Sequence, residues 1–211
     1  MSRWPKVDIV EVGTAMGIDL ASAFRQLQSI YDDVDSRNAK NTVGLNLPCH
    51  RGCGDCCYES VFLTPLEFFY VWDWVQKNIE DERRTEMVDD GLAIYQANKE
   101  TIDALSSNRP RAQAAHDELA LSLKFKCPLL AVDGACEVYP VRELLGRLFG
   151  CSFNNDSGVY GCHLVGAHLA GKTVTLLPAE ATASRLQSLP LTARRNVYPY
   201  YINKLYGSYV A

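Results

Sequence analysis

Four cysteines crowd into the stretch Cys49-His50-Arg51-Gly52-Cys53-Gly54-Asp55-Cys56-Cys57, and this crowding constrains the fold more than any other feature. Soft sulfurs held so close repel one another as thiolates unless a cation or a set of disulfides neutralises them. Whatever the chain folds into must therefore be built around a partner for this sulfur. Cys127, Cys136, Cys151 and Cys162 add a second set of four. The two sets either converge on one site or build two, and all eight thiols are candidate metal ligands.

The formal charge of -4 over 211 residues, with no basic block longer than Arg83-Arg84 or Arg194-Arg195, argues against a nucleic-acid partner. The first residues, Met1-Ser2-Arg3-Trp4-Pro5-Lys6, do not read as a secretory signal. No uncharged apolar run approaches the roughly 20 residues of a membrane helix, so no membrane partner is expected. These readings predict a cytoplasmic chain, where cysteines serve as metal ligands or reactive thiols more often than as staples. A hydrophobic content of 47% is enough for a proper core in a single domain over 1–211.

Within that domain the pattern divides into an N-terminal helical segment (1–43), a cysteine-cluster core (44–165) and a C-terminal hairpin and helical tail (166–211). Ala23, Phe24, Leu27, Ile30, Tyr31 and Val34 recur at helical spacing, predicting a helix from Asp19 to about Lys40. Gly44, Pro48, Gly52 and Gly54 mark an irregular loop that carries the first cysteines. Thr64-Pro65-Leu66-Glu67 combines an N-cap, a proline in the first turn and a capping-box glutamate, which predicts a helix start. One long helix is expected over Glu82–Leu105, weakened at Gly91, before a break at Asn108-Arg109-Pro110.

A short helix near Gln113–Leu119 follows. The alternation of Leu121 to Lys126 and the turn Asp133-Gly134 predict a small β-hairpin carrying Cys127 and Cys136. Residues 140–149 read as a brief helix, 151–158 as a loop, and 170–173 as a second hairpin turn. Helical patterns from Ala179 and from Ala193 close the chain. The expected class is α+β, mostly helical, with irregular cysteine-rich loops and a small β-hairpin around a metal site.

Taken in order, Cys53-Gly54-Asp55-Cys56-Cys57, Leu63-Thr64 with Glu67, Cys127-Pro128-Leu129-Leu130, Gly134-Ala135-Cys136-Glu137-Val138-Tyr139 and Arg142 resemble the motifs of the YkgJ-type cysteine-cluster proteins. That family is described as a zinc- or iron-chelating domain and is related to the cysteine-rich part of flagellin lysine methylases. The resemblance runs from Cys49 to about Cys162 and implies a metal centre without implying a particular reaction. It departs at Gly146, where the family carries a further cysteine, and in the opening Cys-x3-Cys spacing. Cys151 stands a few residues downstream as a substitute for the missing thiol.

Zinc and an iron–sulfur cluster both suit four thiolates. Adjacent Cys56 and Cys57 do not easily turn both sulfurs to one small tetrahedral ion, which favours the larger cluster. Arg51, Lys126, Arg142 and Arg147 lie near ligand positions and would offset thiolate charge. His50 and His163 neighbour cysteines and are candidates for a mixed site, although each also reads as a solvated loop residue. Glu67 is accounted for by its capping box, and the aromatic run Phe68, Phe69, Tyr70, Trp72 and Trp74 by packing.

Two rival motifs remain. Cys49-x3-Cys53-x2-Cys56 equals radical-SAM spacing, but no alternation of strands and helices follows it. Gly166 to Thr173 fits the P-loop pattern, although the residues after Lys172 read as strand where a P-loop requires a helix. The expected function is a metal-binding protein holding an iron–sulfur cluster or zinc. The alternatives are an iron–sulfur enzyme or electron carrier acting on a protein side chain, in which case a protein is partner or substrate, and nucleotide binding at 166–173.

Overall fold

The computed structural model describes residues 3–106 and 113–209, and of residues 113–117 the backbone alone. The expected break at Asn108-Arg109-Pro110 lies outside the described residues. The chain is mostly helical with a few two-residue strands. It runs α1 (Ile9–Ala15), α2 (Leu20–Asn41), β1 (Phe62–Leu63), α3 (Pro65–Asn78), α4 (Asp81–Ala97), α5 (Lys99–Ser106) and α6 (Gln113–Ser122). Then come α7 (Leu144–Leu148), β2 (Ser152–Phe153), β3 (Val159–Tyr160), α8 (His163–Leu169), β4 (Leu177–Pro178), α9 (Ala179–Ala183), β5 (Asn196–Val197) and α10 (Tyr198–Tyr206). No helix among the described residues is long and apolar enough to cross a membrane.

The core forms where α2, α3, α4 and α10 turn their apolar stripes inward. Leu27, Tyr31 and Val34 meet Phe68, Val71, Trp72 and Val75, with Met87, Val88, Ile202 and Tyr206 completing the layer, all essentially without solvent contact. Phe68 stacks between Trp72 and Tyr201, and the Trp72 Nε1–H donates to the Tyr206 hydroxyl at 3.0 Å. Gly91, weak as a helix former, serves packing here: a Cβ on it would lie 2.6 Å from Ile202 Cδ1. Its small size lets α10 press onto α4.

The capping box of α3 forms as predicted and does more than cap. Thr64 N–H and Oγ1–H donate to Glu67 Oε2 at 2.8 and 2.9 Å, and Glu67 Oε1 accepts from the Tyr31 hydroxyl at 3.1 Å and from Leu144 N–H at 2.8 Å. A buried carboxylate is tolerated only with such partners. Glu67 thereby ties α2, α3 and α7 together. Arg147 braces the same junction, donating to the Arg142 and Pro140 carbonyls at 2.8 and 2.7 Å, pairing with Asp35 and lying 4.2 Å over the Tyr31 ring.

Strand β1 pairs antiparallel with β5, placing Phe62 opposite Val197. Strand β2 pairs antiparallel with β3 and parallel with β4, with Ser152 between Tyr160 and Leu177. Several expectations are corrected. The long helix divides at Asn98, whose side-chain amide donates to the Ile94 carbonyl at 2.9 Å and closes α4, while its own carbonyl accepts from Ile102 N–H at 3.0 Å to open α5. Leu121 and Ser122 complete α6, and no strand forms over 123–126. The hairpin around Asp133-Gly134 contracts to the single bridge Leu130–Cys136. The region 151–158, expected as a loop, supplies β2 and the turn into β3, held by the Asn154 side chain accepting from Gly158 N–H at 2.8 Å. No second hairpin forms at 170–173: α8 precedes the turn, and β4 beyond it pairs in parallel with β2.

Candidate metal centre

The cysteine loop closes on itself through glycines. Gly54, at φ +66°, opens the 3-10 turn Asp55–Tyr58, and Cys57 N–H donates to the Gly54 carbonyl at 2.8 Å. The loop then presses against the Asp133-Gly134 turn. Gly52 and Gly134 both have positive φ, +87° and +79°, and a Cβ on Gly134 would stand 2.6 Å from the Gly52 carbonyl oxygen. Only residues without a side chain allow this approach.

Cys127 N–H donates to the Cys57 carbonyl at 2.7 Å, which fixes the two segments in register. From outside, Arg83 of α4 donates to the carbonyls of Pro128 and Leu130 at 3.2 and 3.1 Å and to Glu137 at 2.8 Å, holding 128–137 to the helical layer.

These constraints bring Cys56, Cys57, Cys127 and Cys136 together. Cys57 lies near enough to Cys127, Cys136 and Cys56 for these thiols, together with burial, to push its ionisation far up. Proximity to Cys57 pulls Cys56 down to about 7 and lowers Cys136. Cys57 and Cys127 are buried, Cys136 is half-buried and Cys56 is exposed.

The remaining four cysteines form an outer group. Gly150, at φ +82°, brings the backbone against Cys49, and a Cβ there would lie 3.5 Å from the Cys49 sulfur. Gly150 N–H donates to the Tyr160 carbonyl at 2.7 Å, so β3 holds Cys151 at the end of α7, and Cys162 occupies the N-cap position of α8. Cys49 is solvent-exposed on one side, yet it lies deep enough among neighbours for partial desolvation, then the charges of Cys151, Cys53, Cys162 and Cys56, to raise it to about 11. Burial likewise raises Cys151.

Arg142 lies within electrostatic reach of both groups. Its charge favours the thiolates of Cys56, Cys136 and Cys151. The guanidinium stacks 3.7 Å from the Tyr139 ring, while its Nε and Nη1 are buried without a hydrogen-bond partner among the described residues. Arg147 is consumed by the α2–α7 junction, and Arg51 and Lys126 point into solvent. At Gly146, a side chain would run into the carboxylate of Glu143, which is buried and accepts from the Tyr198 hydroxyl at 2.8 Å. The position at which the resembled family carries a cysteine is thus filled by a carboxylate.

All eight cysteines are free of disulfide bonds. Among the described residues, no three His, Cys, Asp or Glu side chains stand in an arrangement ready to hold a metal ion. His50 turns Nδ1 to the Pro48 carbonyl at 2.8 Å, His163 is exposed, and Glu67 is saturated by its own partners. Gly166 lies inside α8 and Lys172 follows that helix instead of opening one, so the residues 166–173 lack the phosphate-facing helix start of a P-loop. Sequence reasoning read Gly134 only as a turn residue and assigned no role to Gly150 or Arg83. The glycines are visible in the sequence, but their role depends on contacts between distant segments. No protein-family model, curated protein or solved structure matches the chain.

Proposed function

We propose that this chain is a metal-binding cysteine-cluster protein, with its eight thiols serving as ligands in two groups of four. The observation that carries the reading is the backbone closure that gathers Cys56, Cys57, Cys127 and Cys136 in one region, through Cys127 N–H on the Cys57 carbonyl at 2.7 Å and the Leu130–Cys136 bridge. Four sulfurs with no cation among them have little reason to converge, whereas a soft metal gives them one. The donor set fits such a group in type and number. Arg142 fits it as well, since two buried N–H groups without partners suit metal-bound thiolate or inorganic sulfide as acceptors.

Cys56 and Cys57 are adjacent in the chain and both belong to the buried group. Thiolates around one tetrahedral zinc, at Zn–S of about 2.3 Å, stand roughly 3.8 Å apart. An iron–sulfur cluster would hold them wider. Adjacent cysteines do not easily meet the narrower spacing, so an iron–sulfur cluster is slightly favoured at the buried group and zinc is the alternative, and the more open outer group suits either. When bound, the metal supplies a positive centre that neutralises the thiolates and draws the loop and the 127–136 segment together. The chain itself excludes water at Cys57 and Cys127 and holds Arg142 nearby. The motif resemblance to the YkgJ-type family points the same way.

Anaerobic purification followed by elemental and acid-labile sulfide analysis tests the proposal. The expected result is at least one equivalent of zinc or iron, colourless for zinc alone and brown with broad visible absorption where a cluster is present. Protein that holds no stoichiometric metal, either as purified or after reconstitution with Zn2+ or with Fe2+ and sulfide, would refute it.

A further inference from the structure

A groove of about 970 Å3 opens where α9 and the 3-10 turn Ser184–Ser188 face β5, the start of α10 and the end of α5. Its size is that of a small-molecule site. Phe62, Tyr160, Tyr200 and Tyr201 contribute aromatic surface, and Arg194, Arg195 and Glu180 contribute charge. The charges are not equally engaged. Glu180 accepts from Asn155 N–H at 3.2 Å, and neighbouring Arg194 donates to the Ser106 carbonyl at 3.3 Å. Arg195 has neither an ion pair nor a hydrogen bond among the described residues, and its Nε is buried with no partner.

A guanidinium whose Nε is buried without a partner gains from a ligand that answers it, and its planar fork matches carboxylate and phosphate. The aromatic walls suit a flat apolar body lying beside that charge. We propose that this groove binds a small organic anion, a carboxylate or phosphate joined to a flat ring, with Arg195 as the anion-recognising residue. Tyr160 also connects the groove to the outer thiols, because its carbonyl holds Gly150 and its ring meets Phe149 edge-on at 5.3 Å. A bound ligand would lie one strand away from Cys151. The inference goes beyond the metal reading and does not rest on it.

Calorimetric titration with phenyl phosphate and with benzoate, using benzamide as the uncharged control, tests the assignment on the full chain as purified. At least one of the two anions is expected to bind saturably with Kd of about 1 mM or tighter. Benzamide should bind more weakly, Arg195→Gln should cost tenfold or more, and Arg195→Lys should recover part of that loss. Preference for phenyl phosphate identifies a phosphate ligand, and preference for benzoate a carboxylate. Metal content should be the same in both variants, which separates this outcome from failure of the metal reading. Absence of binding by either anion up to about 10 mM, equal binding of benzamide, or wild-type affinity in Arg195→Gln would overturn it.

Discussion

The two thiol groups share one loop and the same number of sulfurs, yet they are built in different ways. The buried group is locked by backbone: Cys127 N–H on the Cys57 carbonyl, the Leu130–Cys136 bridge, and Gly52 pressed into Gly134. Its sulfurs lie in one region. The outer group depends on Cys49, exposed on the loop, meeting Cys151 and Cys162, which are held by β2, β3 and the start of α8. There the thiols sense one another through charge. The contrast teaches that backbone closure, more than cysteine spacing, decides which sulfurs are held in register before any metal arrives. In the account proposed above, the buried centre belongs to the fold and the outer one is the more exchangeable.

The sharpest attempt to break this contrast replaces one thiol in each group. Cys57→Ser removes one thiol of the buried four, and the melting temperature of the metal-loaded protein is expected to fall by about 10 °C with loss of that centre's metal. Equal melting curves for wild type and variant would show that the buried group is not structural. Next in size is Gly134→Ala, which combines positive φ with a backbone clash against Gly52 and should cost about 3 kcal/mol in denaturant titration. Gly171→Ala has the same sign of φ (+74°) and open space around it, and should cost only about 1 kcal/mol.

Cys162→Ser should release the outer metal while lowering the melting temperature by only about 3 °C, and a fall as large as that of Cys57→Ser would erase the distinction. Smallest in stability, but felt at both groups, is Arg142→Gln. Competition with a chelator should show metal affinity weakened by about tenfold at each centre, whereas a change confined to one group would remove Arg142 from its shared position.

Much of the helical frame was legible in the sequence because its signals are local. Asp19 caps α2, and Thr64 with Glu67 caps α3, through contacts within three residues. The mostly helical α+β class follows from such patterns. Asn98 was missed because an asparagine inside an otherwise periodic stretch looks tolerable until its side chain is seen to claim the Ile94 carbonyl. The strand expected at 121–126 failed for the opposite reason: alternation over a few residues cannot tell an extended strand from the last turn of α6.

The identity of the candidate ligands was equally visible, since eight cysteines announce themselves. Their division was not. It depends on Gly52 meeting Gly134 and Gly150 meeting Cys49, approaches between segments about 80 to 100 residues apart that no local pattern encodes. Gly146 is a similar case. Its departure from the resembled family can be read in the sequence, but only the fold reveals the Glu143 carboxylate in the vacated space.

Site-resolved thiol alkylation read by mass spectrometry, performed on metal-loaded protein during stepwise removal of metal with a chelator, tests the central claim most directly. The account predicts that all eight cysteines start protected, that Cys49, Cys53, Cys151 and Cys162 become reactive together, and that Cys56, Cys57, Cys127 and Cys136 follow as a second set. Exposed Cys49 and Cys56 reacting at once and at rates unaffected by metal, with the others following solvent exposure one by one, would contradict it.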